Sequence, residues 1–191
     1  MHPSIEKFLN NSDLKSSVGS SFNSSECLLL PGSFNPFHLG HQGLFEVAEK
    51  KVKRAGFLEL SLTNVDKPEL DINSVLMRLN NIPEEIPIIL TRAPTFMEKI
   101  ELFPGAFFAM GYDTITRVLD PSYNNVSEVL EKCLSLECKF VVAGRLFNNK
   151  FLSLKNLDID SRYSQLFIPI SEKIFRKDLS STQIRSHLRS N

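Results

Sequence analysis

From Cys27 onward, short apolar runs alternate with longer stretches in which apolar residues recur every three or four positions. That is the pattern of βαβ units: a strand buried on both faces reads as a continuous apolar run, whereas a helix packed on a sheet shows one apolar stripe. The runs at 27–31, 57–62, 86–91, 106–110, 139–143 and 166–170 are the predicted strands. Leu44, Phe45, Ala48 and Val52 fall at helical spacing, so a helix is predicted over 39–54, ended by Gly56. Further helices are expected over 72–81, 94–102, 126–136 and 181–188. The predicted fold class is α/β, a mainly parallel sheet flanked by helices. In such a sheet, ligands gather beyond the carboxyl ends of the strands, near a switch in strand order.

A chain of 191 residues suits one core. Residues 10–26 are rich in Ser and Asn, whose side chains compete with the backbone for hydrogen bonds and favour turns. Residues 1–26 therefore read as an N-terminal leader, a short helix plus a Ser/Asn-rich linker, ahead of a single domain over 27–191. Lys plus Arg and Asp plus Glu both count 22, so no global field draws the protein onto nucleic acid or an anionic membrane. A polyanionic ligand would have to be met by a local cluster. No apolar run approaches the roughly 18 residues that span a bilayer. Without a secretory or transit pattern at the start, and with Cys27, Cys133 and Cys138 lacking any C-x-x-C pairing, a cytoplasmic protein is expected. Nothing read from the sequence bears on oligomeric state.

The first predicted strand runs into Gly32-Ser-Phe-Asn-Pro-Phe-His-Leu-Gly-His41. Gly32 permits backbone angles that a Cβ disfavours, and Pro36 stiffens the loop. His38, Gly40 and His41 fall at the loop exit and first helical turn, where unpaired amides and the helix dipole favour an anion. Two imidazoles three residues apart project to one side and, with ordinary pKa values near ~6.5, can charge beside a phosphate. The same residues also suit a turn and a capped helix, or a metal pair, although zinc wants further ligands and the other histidines, His2 and His187, lie near the termini. At the far end, Asp178-Leu-Ser-Ser-Thr-Gln-Ile-Arg185 reads as a helix start with Ser and Thr hydroxyls and a guanidinium one turn on, which is either a cap or an anion site.

The first stretch resembles the G-x-F-[DN]-P-x-H-x-G-H signature of the nucleotidylyltransferase superfamily, and Leu179–Arg185 resembles its second signature, I-S-S-T-x-[IL]-R. Within it, Thr63-Asn-Val-Asp-Lys-Pro68, Leu90-Thr-Arg-Ala-Pro94 and Gly111-Tyr-Asp-Thr114 are most similar to segments of nicotinamide or nicotinate mononucleotide adenylyltransferases, a less-characterised branch included. The resemblance implies a Rossmann-like nucleotide-binding fold and transfer of AMP from ATP to a phosphomonoester. It implies catalytic roles for His38, His41, Lys67 and Arg185. It places ATP against Gly32, Ser33, Phe34, His38, Gly40, His41, Asp113, Ser180, Ser181, Thr182 and Arg185, and the acceptor against Thr63, Lys67, Phe96 and Tyr112; from their positions just past strand ends, Arg145 is added to the ATP set and Arg92 to the acceptor set. Magnesium is expected on the ATP phosphates, with no dedicated protein metal site.

Several of these positions have plainer readings: Asp113 as a helix N-cap, Lys67 as a solvated loop lysine, Arg92 and Arg145 as exposed cations. Gly144 is read as opening space for a ligand beside Arg145. The relatives commonly stack the pyridine ring on Trp; this chain has none, leaving Phe96 and Tyr112 as substitutes. A different acceptor such as phosphopantetheine, CTP in place of ATP, a regulator without turnover, and a fragment of a class I aminoacyl-tRNA synthetase are the competing readings.

Overall fold

Leu28, Leu29 and Leu30 are each almost wholly buried, and they point alternately to two different cores. Only a strand in the middle of a sheet covered on both faces needs three consecutive large apolar residues. In the computed structural model, which describes residues 3–19, 21–63, 68–123 and 125–176, that strand is β1 (Cys27–Pro31). The other members are β2 (Ala55–Ser61), β3 (Ile88–Thr91), β4 (Phe107–Gly111), β5 (Lys139–Ala143) and β8 (Phe167–Ile170). Every neighbouring pair is parallel, in the order β3-β2-β1-β4-β5-β8. The chain moves outward from β1 to β3, then returns to build β4 on the other side of β1. The order therefore switches between β1 and β4.

Leu28, Leu30, Leu58, Leu60 and Leu90 face one core, shared with α1 (Pro3–Leu9), α2 (Leu39–Val52) and α3 (Ile72–Leu79). Leu29, Ile89, Phe108 and Phe140 face the other, shared with α4 (Phe96–Leu102), α5 (Tyr112–Val118) and α6 (Val126–Ser135). Among the described residues no helix is long and apolar enough to cross a membrane. The three cysteines are free and buried, and burial raises each thiol's pKa.

Each predicted strand is present within two residues of its expected limits, as are the helices α2, α3, α4 and α6. Helix α2 ends at Lys53 in the left-handed region (φ 56°), not at Gly56, which lies inside β2. Besides three short 3-10 helices, the additional elements are α5 directly after β4, and a hairpin of β6 (Arg145–Phe147) and β7 (Lys150–Leu152) directly after β5. The helix expected over 181–188 lies outside the described residues.

The leader covers the open edge of the sheet. Ser17 N donates to the Leu90 carbonyl (2.8 Å), Leu90 N donates to Ser17 Oγ (2.9 Å), and Arg92 N donates to the Lys15 carbonyl (2.9 Å). Ser16 and Thr91 form an antiparallel bridge. An edge strand presents unpaired donors and acceptors that template aggregation, and here the leader's backbone meets them.

Candidate active site

The loop after β1 sets the site. Phe34 is fully buried at φ 44°, a costly angle for a bulky residue, and its ring lies against Phe37 and edge-on to His41. Gly32 is required by this packing: a Cβ there would stand 2.6 Å from the Phe34 ring. The positive angle expected of Gly32 belongs to Phe34 instead. Gly32 N donates to the Glu59 carbonyl (3.0 Å), and Arg78 Nη1 donates to the Ser33 carbonyl (2.9 Å), so β2 and α3 hold the loop from two sides.

His38 is the N-cap of α2. Its backbone is extended, and its Nδ1 accepts from Gly40 N (3.1 Å). The Gly40 amide, expected to face a ligand, is thus already capped. Because Nδ1 accepts, the proton of the neutral ring belongs on Nε2, which becomes a donor. The His38 and His41 rings stack with centroids 3.8 Å apart, and Phe37 also stacks with His41, at 5.6 Å. Burial lowers the pKa of His38. Burial and then the neighbouring His38 lower that of His41 to about 4. Both imidazoles are therefore neutral near pH 7, rather than poised to charge as their ordinary pKa values suggested. His41 Nδ1 is buried without a hydrogen-bond partner.

These groups line a cavity of about 300 Å³ beyond the carboxyl ends of β1, β4 and β5, at the switch in strand order. Gly32, Ser33, His38, Gly40 and His41 form one wall. Gly111, Tyr112, Asp113 and Thr114, at the start of α5, form another, and Ala143, Gly144 and Arg145 a third. Arg145 is ion-paired with Asp113 across the space between β4 and β5. Gly111 is the N-cap of α5, so Asp113 lies in its first turn, where a carboxylate also suits the helix dipole.

Of the residues predicted to meet ATP, the cavity gathers Gly32, Ser33, His38, Gly40, His41, Asp113 and Arg145, and Tyr112 of the acceptor set joins them. Phe34 supports the loop from below. Arg92 does not reach the cavity. Its Nε donates to Glu69 (3.0 Å), its Nη1 donates to the carbonyls of Leu14 (2.9 Å) and Asn11 (3.2 Å), and its guanidinium lies 4.3 Å over the Phe8 ring. It fastens the leader. Phe96 is likewise taken up elsewhere, edge-on to Phe108 and Phe140 at 6.1 and 6.2 Å in the core under α4. Thr63 follows β2 outside the lining, its hydroxyl 3.4 Å from that of Ser61. Gly144 opens no space for a ligand: a Cβ there would meet the Phe151 ring at 2.4 Å and the Leu152 carbonyl at 2.6 Å. Lys67, Ser180, Ser181, Thr182 and Arg185 lie outside the described residues.

With the loop, the paired imidazoles and the switch-point cleft in place, the family profile described as Cytidylyltransferase-like matches residues 29–187. The chain belongs to the cytidylyltransferase-like family. It is thus a nucleotidyltransferase with a Rossmann-like nucleotide-binding fold. Among solved structures it is similar to the Plasmodium falciparum nicotinic acid mononucleotide adenylyltransferase complexed with NaAD. The identity is 19%, the TM-score 0.47, and the match covers 85% of this chain and 83% of that one. No curated protein matches the sequence.

For a cytidylyltransferase-like protein, some cavity residues carried no signal in the sequence. Met110 and Leu44 read as core, and Phe175, which closes the cavity after β8, reads as one more apolar residue in a loop. Arg78, on a helix surface, gave no sign of its reach to Ser33. Thr114, at the end of the segment Gly111–Thr114, lines the cavity as well, although it was given no role of its own.

Proposed function

We propose that the protein moves AMP from ATP to the phosphate of nicotinamide or nicotinate mononucleotide, giving a dinucleotide and pyrophosphate, a step of NAD biosynthesis. An acceptor phosphate oxygen attacks the α-phosphorus in line. The bond from that phosphorus to the bridging oxygen breaks, and its electron pair leaves with pyrophosphate. No protein nucleophile is needed, so catalysis rests on alignment and on stabilising charge.

The observation that carries this reading is the stacked pair of His38 and His41 at the start of α2, lining the cleft at the switch point. A phosphate beside His41 would raise its pKa, so the imidazole becomes a stronger donor where charge develops. His38 Nε2 would orient the same phosphates. The second signature supports Ser181, Thr182 and Arg185 as holders of the leaving pyrophosphate, with Lys67 balancing charge. ATP is favoured over CTP because the chain lacks an Arg-Thr-x-Gly-Ile-Ser-Thr-type second motif.

Asp113 is the one carboxylate among the described cavity residues, and Arg145 already neutralises it. A magnesium ion would therefore be held mainly by phosphate oxygens and water. It would screen the charge of the triphosphate.

The test is to incubate the protein with ATP, magnesium and a panel of mononucleotides, and to follow pyrophosphate and dinucleotide together. His41→Ala should lower kcat by about 100- to 1,000-fold, the range seen when one transition-state donor is removed, with ATP affinity changed far less. If wild type binds ATP and no acceptor yields pyrophosphate, the protein is a nucleotide-binding regulator and the enzyme reading fails.

A further inference from the structure

Helix α3 starts from a fixed base. Asp71 caps it by accepting from Ser74 N (3.0 Å), and Val75 is fully buried in the core that α3 shares with β1 and α2. Arg78, three residues after Val75 and half-buried, lies on the same side of the helix. Its Nη1 donates to the Ser33 carbonyl (2.9 Å), in the loop after β1.

That carbonyl belongs to the peptide that joins Ser33 to Phe34, and the φ of Phe34 is the rotation by which the chain leaves this peptide. A peptide is planar and turns as one body, so a donor that holds its carbonyl also constrains that φ. Phe34 sits at φ 44°, a left-handed angle that a bulky residue keeps only where its surroundings over-determine it. Two contacts do so here. The Phe34 ring is fully buried in the core, and the Arg78 guanidinium holds the preceding peptide with a charge-assisted bond. In this conformation the ring fills the space beside Gly32 and meets His41 edge-on, with centroids 5.2 Å apart. His41 in turn stacks with His38 at 3.8 Å. A run of contacts therefore leads from Arg78, which does not line the cavity, to the two imidazoles that do.

We propose that Arg78 is a positioning residue for nucleotidyl transfer: by holding the Ser33 carbonyl it keeps Phe34 in the conformation that orients His41. This rests on the nucleotidyl-transfer reading and adds to it a residue that lies in neither signature. Arg78 touches no substrate and acts only through the loop.

The experiment compares wild type, R78M, R78K, H41A and the double variant R78M with H41A. R78M keeps an apolar stem and removes the donor, whereas R78K keeps one donor, as the single bond to Ser33 requires. R78M should lower kcat for dinucleotide formation about 10- to 100-fold, the scale of a small misplacement of a catalytic group, with the KM for ATP within about threefold. R78K should recover to within about fivefold of wild type. If Arg78 acts through His41 the two losses are not additive, so R78M should cost less than about twofold in the H41A background. Wild-type kcat in R78M, an R78K as poor as R78M, or losses that multiply in the double variant would each overturn the proposal. A readout independent of turnover is the imidazole Cε1–H resonance of His41, assigned by its absence in H41A. It should move toward the position of an unfolded histidine in R78M, as the ring contacts with Phe34 and His38 loosen, and stay in place in R78K. An unmoved resonance in R78M refutes the positioning role whether or not the protein turns over. Wild type that releases no pyrophosphate refutes the transfer reading instead, and the resonance still decides whether Arg78 holds His41.

Discussion

His41 stacks with Phe37 and His38 and meets Phe34 edge-on, and burial lowers its folded pKa from 6.5 to about 4. A depressed histidine pKa means that the unfolded chain binds the extra proton first as pH falls. The stabilisation is therefore complete above the unfolded value and is lost as pH drops from about 6.5 toward about 4. The size is on the order of 3 kcal/mol for a fully realised shift, and part of the same window belongs to His38, whose pKa is also lowered. Unfolding free energies of wild type and H41N between pH 7 and 4 should diverge in slope, with wild type losing more on acidification. Parallel curves would show that the imidazole is not held neutral by its surroundings. The position of His41 was legible from spacing alone. Its neutrality was not, because burial depends on Phe34 and Phe37 folding back over the ring, and a motif does not encode which way a loop phenylalanine turns.

At the scale of elements, α4 is tied to the sheet by a buried polar cluster. Glu59 Oε1, on β2, accepts from Lys99 Nζ of α4 (2.6 Å) and from Thr91 Oγ1 of β3, and Glu59 Oε2 is buried without a partner. Removing one member strands the other's charge, so K99M should lower stability by about 3–5 kcal/mol in denaturant unfolding. The double change E59L with K99M should recover most of it, since a buried ion pair replaced by apolar volume is often neutral. A K99M cost below about 1 kcal/mol would mean that the charge is effectively solvated. The apolar runs revealed the six long strands because each is covered on both faces. Helix α5 was hidden by its seven-residue length and by an N-cap, Gly111, with no side-chain cap. The β6–β7 hairpin was hidden because Gly144 and two asparagines read equally well as an open loop.

The molecule as a whole is a parallel sheet whose outer edge, β3, is closed by the leader and fastened through Arg92. An arginine after a strand end has a known backbone position but an unknown direction, which is why Arg92 read as a site residue. R92A should cost about 1–3 kcal/mol by removing the donor to the part-buried Leu14 carbonyl and baring the Phe8 ring, and should keep both substrate KM values within about threefold. A large rise in acceptor KM with unchanged stability would reverse that assignment. In the proposed reaction, AMP passes from ATP directly to an acceptor phosphate, with no covalent intermediate on the protein. It is tested most directly by a single-turnover reaction of ATP labelled at the α-phosphorus with nicotinate or nicotinamide mononucleotide. The label should appear in the dinucleotide, in step with pyrophosphate and with none on the protein. Label in free AMP, label fixed to the protein, or no release of pyrophosphate with either acceptor would contradict the account.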